Sequence, residues 1–147
     1  MAESSIEWVS TPRANGGRAP GYTFNPWWGC VEVSPGCAHC YARTFSKRVG
    51  SAKWGKDETR RFFGDSHWNE PRKWNAAAAE MGERRKVFCA SMADVFEDRA
   101  DLGSQRARLF ALIEETPHLD WLLLTKRPQN VRSMVPLRWL DAWPASV

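Results

Sequence analysis

Cys30, Cys37 and Cys40 fall within eleven residues, six residues separating the first two and two the second pair. Thiols clustered in this way, where they stay reduced, point to metal or redox chemistry rather than to a disulfide framework. Cys37-Ala38-His39-Cys40 places two sulfurs on one turn, the spacing of a shared metal. Pro35 and Gly36 let the chain fold back so that Cys30 reaches the same centre. Three thiolates rather than four leave one coordination position open. On a four-iron–four-sulfur cluster, the open iron takes a substrate or a cofactor. Zinc is the alternative, with His39, His67, His118 or Cys89 as a fourth ligand. A two-cysteine redox pair leaves Cys30 unexplained. Inert packing as a small hydrophobe suits Cys89, which lies inside an apolar run.

Other residues carry weaker signals. Asp94, Glu97, Asp98 and Asp101 form an acidic stretch. The last three read as solvated, with Asp101 capping a helix, whereas Asp94 is placed in a site. Lys126 and Arg127 read either as an anion contact or as cations facing water. Arg43, Lys47, Arg48, Lys53, Lys56, Arg60 and Arg61 are interleaved with Phe45 and Trp54. Such a set can track a phosphate backbone while Trp54 stacks on a base, and an ordinary solvated face is the competing reading. The chain has no Gly-rich phosphate loop, Ser-His-Asp order or His-Glu-x-x-His motif.

The elements that must hold these residues follow from periodicity. Ser5–Val9 alternates as a short first strand, and residues 11–21 read as a loop. Cys40 to Val49 has helical spacing with a basic outer face, so the third cysteine opens a helix whose N-terminal amides favour a thiolate. Residues 50–66 read as a long loop. Pro71 starts a second helix that Gly82 closes. Lys86–Ser91 and Leu119–Thr125 read as buried strands, and a helix from Asp101 to about Thr116 lies between them. Strands alternating with helices imply α/β architecture with a parallel sheet and a ligand site at its C-terminal strand ends. Ser91, Asp94, Thr125 and Lys126 stand there. The expected fold is a half α/β barrel in one domain over residues 1–147.

Length, charge and apolar runs bound the function. With 147 residues the chain can build a real core. Its net charge of +4 permits nucleic-acid contact without demanding it. Nine tryptophans suit a core and covered loops. No apolar run follows a basic start, and the longest apolar stretch, Trp121–Leu124, is far too short to span a bilayer. The expectation is no membrane contact and a reducing cytoplasm.

Five ordered motifs carry a family resemblance: Ser5–Trp8, Asn25–Cys30, Ser34–Ala42, Ser91–Phe96 and Leu124–Pro128. The pattern resembles the phage-associated three-cysteine-motif proteins, which are similar in turn to radical S-adenosylmethionine (SAM) enzymes. The resemblance implies a partial or full α/β barrel, a four-iron cluster on Cys30, Cys37 and Cys40, and SAM on the open iron. It places Tyr41 near the adenine, Ser91 and Asp94 near the methionine amine, and Thr125 and Lys126 near the ribose or carboxylate. The gap of six residues between Cys30 and Cys37 is longer than the usual radical SAM spacing. Family members generally continue past residue 147 with further strands. A truncated chain with an open sheet edge is therefore expected, covered by a protein partner or by self-association. The function implied is SAM cleavage acting on a nucleic-acid-related substrate. The alternative is a non-catalytic metal-stabilised module that binds nucleic acid or protein.

Overall fold

Two largely apolar runs, Val87–Cys89 and Leu119–Leu123 with Asp120 as its polar residue, read as strands, and they pair side by side. The computed structural model describes residues 3–51 and 53–147. In chain order the elements are β1 (Thr11–Pro12), β2 (Arg18–Ala19), β3 (Tyr22–Thr23), β4 (Trp27–Trp28), α1 (Tyr41–Arg48), β5 (Arg61–Phe62), α2 (Asp65–Glu80), β6 (Arg85–Cys89), α3 (Gly103–Glu115), β7 (Leu119–Leu123), α4 (Val131–Met134) and α5 (Leu137–Asp141). Single 3-10 turns occur at Glu7–Val9, Pro35–Cys37, Ala100–Leu102 and Pro128–Asn130. A three-stranded parallel sheet has the order β3-β6-β7, with Val87 facing Tyr22 on one side and Trp121 on the other. β1–β2 and β4–β5 are short antiparallel pairs. The architecture is thus mixed α/β around a small parallel sheet.

Helix α2 buries Trp68, Pro71, Trp74 and Ala78 on one face, and α3 buries Arg106, Leu109, Phe110 and Ile113. Phe24 sits among the rings: it meets Trp68, Trp74 and Trp121 edge-on at 5.4, 6.4 and 5.8 Å. These are favoured aromatic geometries. Tyr22 stacks on Trp74 at 4.3 Å, and its hydroxyl accepts from Arg85 Nη1 at 2.6 Å.

Three expectations need correction. Ser5–Val9 is not a strand; it ends in a 3-10 turn, and Tyr22–Thr23 supplies the first strand of the sheet. Buried Val9 lies so close to Gly21 that a Cβ there would stand 2.1 Å from the Val9 carbonyl oxygen. Val9 is therefore buried by packing over the start of β3 rather than by strand pairing, while Trp8 stays exposed. Residues 11–21 and 50–66 are not wholly loop, since they hold β1, β2 and β5. Two-residue ladders are too short to leave an alternation in the sequence. Helix α2 starts at Asp65, and Pro71 lies inside it. The buried Trp68 one turn earlier favours the longer helix over the cheaper placement of proline at the first position. Trp139 is buried against Phe110 at 4.9 Å, and its Nε1–H donates to Glu114 Oε1 at 2.6 Å. Leu140 and Trp143 are exposed.

The outer edge of β7 meets the C-terminal tail: Trp121 N donates to the Ser146 carbonyl at 2.6 Å, and Arg84 Nη2 to the Ala145 carbonyl at 3.1 Å. Among the described residues, no helix is long and apolar enough to cross a membrane.

Candidate functional site

Strands β6 and β7 end together, Cys89 opposite Leu123, and the chain beyond each turns into one cavity of about 340 Å³. The first contributes Ser91 and Asp94, the second Thr125, Lys126 and Arg127, and the cysteine loop Cys30, Cys37, Cys40 and Tyr41. Every residue assigned to metal or cofactor from sequence therefore lines the same space. The cavity lies at the C-terminal ends of the parallel strands, where α/β sheets gather ligands.

Backbone pairing places Cys30. Gly29 N donates to the Met92 carbonyl at 3.0 Å and Cys30 N to the Lys53 carbonyl at 3.2 Å, while Gly55 N donates to the Cys30 carbonyl at 3.0 Å. Gly29 has φ +117°, and a Cβ there would stand 2.4 Å from the Lys53 carbonyl oxygen. Only glycine tolerates both the conformation and the approach. Cys37 closes the 3-10 turn Pro35–Cys37 and is buried, and Cys40 occupies the N-cap of α1. Asn25 ties the β6 loop down: its Oδ1 accepts from Met92 N at 2.7 Å and its Nδ2 donates to Ser91 Oγ at 3.0 Å. The Cys89–Ala90 peptide is cis.

Asp94 is buried and fully occupied. Its Oδ1 accepts from Phe96 N at 3.0 Å and Thr125 Oγ1 at 2.7 Å; its Oδ2 accepts from Lys126 N at 3.0 Å and Arg127 Nη1 at 2.9 Å. A carboxylate offers about four acceptor positions, so none is left for a ligand. Asp94 lines the cavity but acts as a brace between the two strand ends. Thr125 Oγ1 is likewise engaged, donating to Asp94 and accepting from Arg127 N at 2.9 Å. Lys126 is exposed, and its Nζ donates to the Gly36 carbonyl at 2.6 Å.

The thiols have different surroundings. Burial pushes the Cys30 thiol up in pKa, and the Arg127 guanidinium beside it pulls only part of the way back. Burial also opposes ionisation of Cys37, but hydrogen bonding at Val33 and Ser34 and the charge of Lys126 outweigh it, so this thiol lies below its ordinary value. Cys89 is wholly buried, which drives its thiol far up, and it does not line the cavity. Of the histidines offered as zinc ligands, only His39 lines the cavity. His67 donates from Nε2 to the Asn25 carbonyl at 2.8 Å, and His118 precedes β7 at the opposite end of the sheet. Among the described residues, no three His, Cys, Asp or Glu side chains come together as a cage for a single metal ion.

The basic set divides. Lys47, Arg48, Lys56 and Arg61 are exposed, and Arg61 lies over the Trp28 and Phe63 rings at 5.2 and 5.3 Å. Arg43 pairs with Glu32, and Lys53 is half-buried, donating to Thr59 Oγ1 at 3.1 Å. Arg60 does not face solvent: it forms a buried two-point ion pair with Glu97 at 2.5 and 3.1 Å. Glu97 is correspondingly not a solvated loop residue. Trp54 is half-buried in the cavity wall, and its backbone pairs with that of Cys30.

Sequence reasoning treated Asn25 and Arg127 only as parts of motifs, and Arg127 as an open choice between an anion contact and a solvated cation. The signal that could have found them is that both lie in ordered polar motifs next to apolar runs. A family model matches residues 3–147, and its description reads "Protein of unknown function (DUF5131)". No curated protein and no solved structure matches the chain.

Proposed function

The chain belongs to the DUF5131 family, whose description assigns no activity, and from that premise we propose that it is a radical-SAM-like iron–sulfur protein. The observation that carries this reading is that three thiols line one cavity at the C-terminal ends of parallel strands. Zinc bonds each thiolate at about 2.3 Å and needs its ligands to converge on a point. A four-iron cluster takes each thiolate on a different iron, and three thiols around one cavity are the donor set it uses. By the chemistry of its thiol donors the site fits such a cluster.

A cluster held here would supply one-electron reduction of SAM. The chain's own residues would hold the parts. Cys30, Cys37 and Cys40 would ligate the iron. Tyr41, 72% exposed at the lip and stacked on Phe45, offers a face to adenine. Ser91 and Lys126 keep polar atoms for the methionine moiety, while Asp94 and Thr125 hold the wall from behind. The parallel sheet is read as part of a half-barrel like that of the phage three-cysteine-motif proteins. Free thiols at the site suit a reducing compartment, the cytoplasm. The exposed Lys47, Arg48, Lys56 and Arg61 supply the face for a nucleic-acid substrate.

The second reading is a non-catalytic metal-stabilised binding module. It is favoured by the engagement of Asp94, Thr125 and Arg127 in holding the loop. Anaerobic reconstitution with iron and sulfide separates the two. The first reading expects about four irons per chain and an electron paramagnetic resonance spectrum that changes when SAM is added. Iron uptake with no response to SAM leaves the module, and zinc uptake with no iron removes the cluster altogether.

A further inference from the structure

We propose that Arg127 is a positioning residue that gives Cys30 an electrostatic setting different from that of its two partner cysteines, and through it raises the reduction potential of the bound cluster. The inference rests on the iron–sulfur reading above. Arg127 is 4% exposed. Its Nη1 lies 3.5 Å from Cys30 Sγ and 2.9 Å from Asp94 Oδ2, and its Nη2 donates to the Val31 carbonyl at 2.8 Å. Cys37 Sγ instead meets the neutral Ser34 hydroxyl at 3.8 Å. One thiol of the three therefore sits against a buried cation.

The side chain is suited to this. A planar guanidinium serves a sulfur, a carboxylate and a carbonyl at once, where a lysine ammonium is a single point charge. The neighbouring residue completes the arrangement: Lys126 Nζ holds the Gly36 carbonyl, just before Cys37. Two successive residues after β7 thus hold the two arms of the cysteine loop, and Asp94 fixes both through the Lys126 amide and the Arg127 guanidinium.

Hydrogen bonds to ligand sulfur and nearby charge are levers on cluster potential. Reduction adds negative charge to the cluster. An N–H donor with positive charge at Cys30 stabilises the reduced state more than the oxidised one, and Asp94 partly offsets it.

The two residues therefore predict shifts of opposite sign. The experiment is a mediated redox titration, followed by electron paramagnetic resonance, of the full chain reconstituted anaerobically, with iron content and circular dichroism recorded for each variant. Arg127→Met is expected to lower the potential and Asp94→Asn to raise it. Arg127→Lys, which keeps the charge, is expected to stay nearer the wild type than Arg127→Met. If Arg127→Met does not fold, the opposed positions of Arg127→Lys and Asp94→Asn about the wild type carry the test. A purely structural brace would shift all variants in one direction or leave the potential unchanged, and either result overturns the proposal. A wild-type chain that takes up no iron overturns the cluster reading and this proposal with it. A chain that loads iron yet shows no opposed shifts overturns the Arg127 assignment alone.

Discussion

Cys37 and Cys89 are both buried thiols, yet the structure separates their roles. Cys37 lines the cavity with two other thiols and hydrogen-bonding groups that favour its ionised form. Cys89 packs within β6, where burial holds it protonated. We expect Cys37→Ala to abolish stable iron loading, because two thiolates do not secure a cluster that three hold. Cys89→Ala is expected to leave iron content unchanged and to cost about 1–2 kcal/mol of stability from the void left in the core. Iron and sulfide assays with denaturant melts check both. Full loading of Cys37→Ala, or iron loss in Cys89→Ala, would refute the assignment.

Between elements, Glu83 joins the β1–β2 segment to the sheet. Its carboxylate accepts from Arg13 Nε and Nη2 at 2.8 Å each and from Arg85 Nε at 2.8 Å. The Arg13 hydrogen bonds, with a smaller part from Arg85, hold its pKa down to about 2. A carboxyl depressed on folding stabilises the native state above its unfolded pKa, and that contribution disappears as pH falls through the folded value. Glu83→Gln should thus be less stable than wild type near neutrality, with the gap closing between about pH 4.5 and pH 2. Thermal melts of both chains across that range test it, and a gap independent of pH would contradict the linkage. This junction also shows what sequence can and cannot convey about elements. The β6–β7 pair was legible because two continuous apolar runs, separated by a helical period, can pair in parallel through a crossover. The convergence of the three cysteines on one cavity was legible because they are close in sequence. β3, β4 and β5 were not, since two-residue ladders carry no period. The Arg60–Glu97 pair was hidden because each residue type belongs to the surface until the fold brings the two together from 37 positions apart.

For the whole molecule, the exposed side of the parallel sheet matters most. The β7 edge receives the Ser146 carbonyl at Trp121, and Arg84 holds the adjacent Ala145 carbonyl. Uncovered parallel edges recruit other chains. Ending the chain after Asp141 should increase self-association and lower the melting temperature by about 2–4 °C for each kcal/mol lost. Sedimentation velocity and calorimetry on the two lengths decide this; identical behaviour would show that the tail does not protect the edge.

The long reach of the clamp on the cysteine loop also has a consequence in time. Arg127 lies 97 positions after Cys30. At about 5–20 residues per second, a ribosome adds that length in roughly 5–20 s. Throughout that interval the three thiols exist without the two cationic side chains that position them. On the iron–sulfur reading, an ordered site would therefore be available to metal only after synthesis of the Thr125–Arg127 turn. Before then, the nascent chain offers oxidants and electrophiles an unprotected trio of sulfurs. Ribosome-bound chains with arrested synthesis should show it: those ending before residue 119 should react readily with maleimide at Cys30, Cys37 and Cys40, and chains that have cleared the tunnel past Arg127 should lose much of that reactivity at Cys30. Equal labelling at both lengths would mean that the loop takes shape without its clamp.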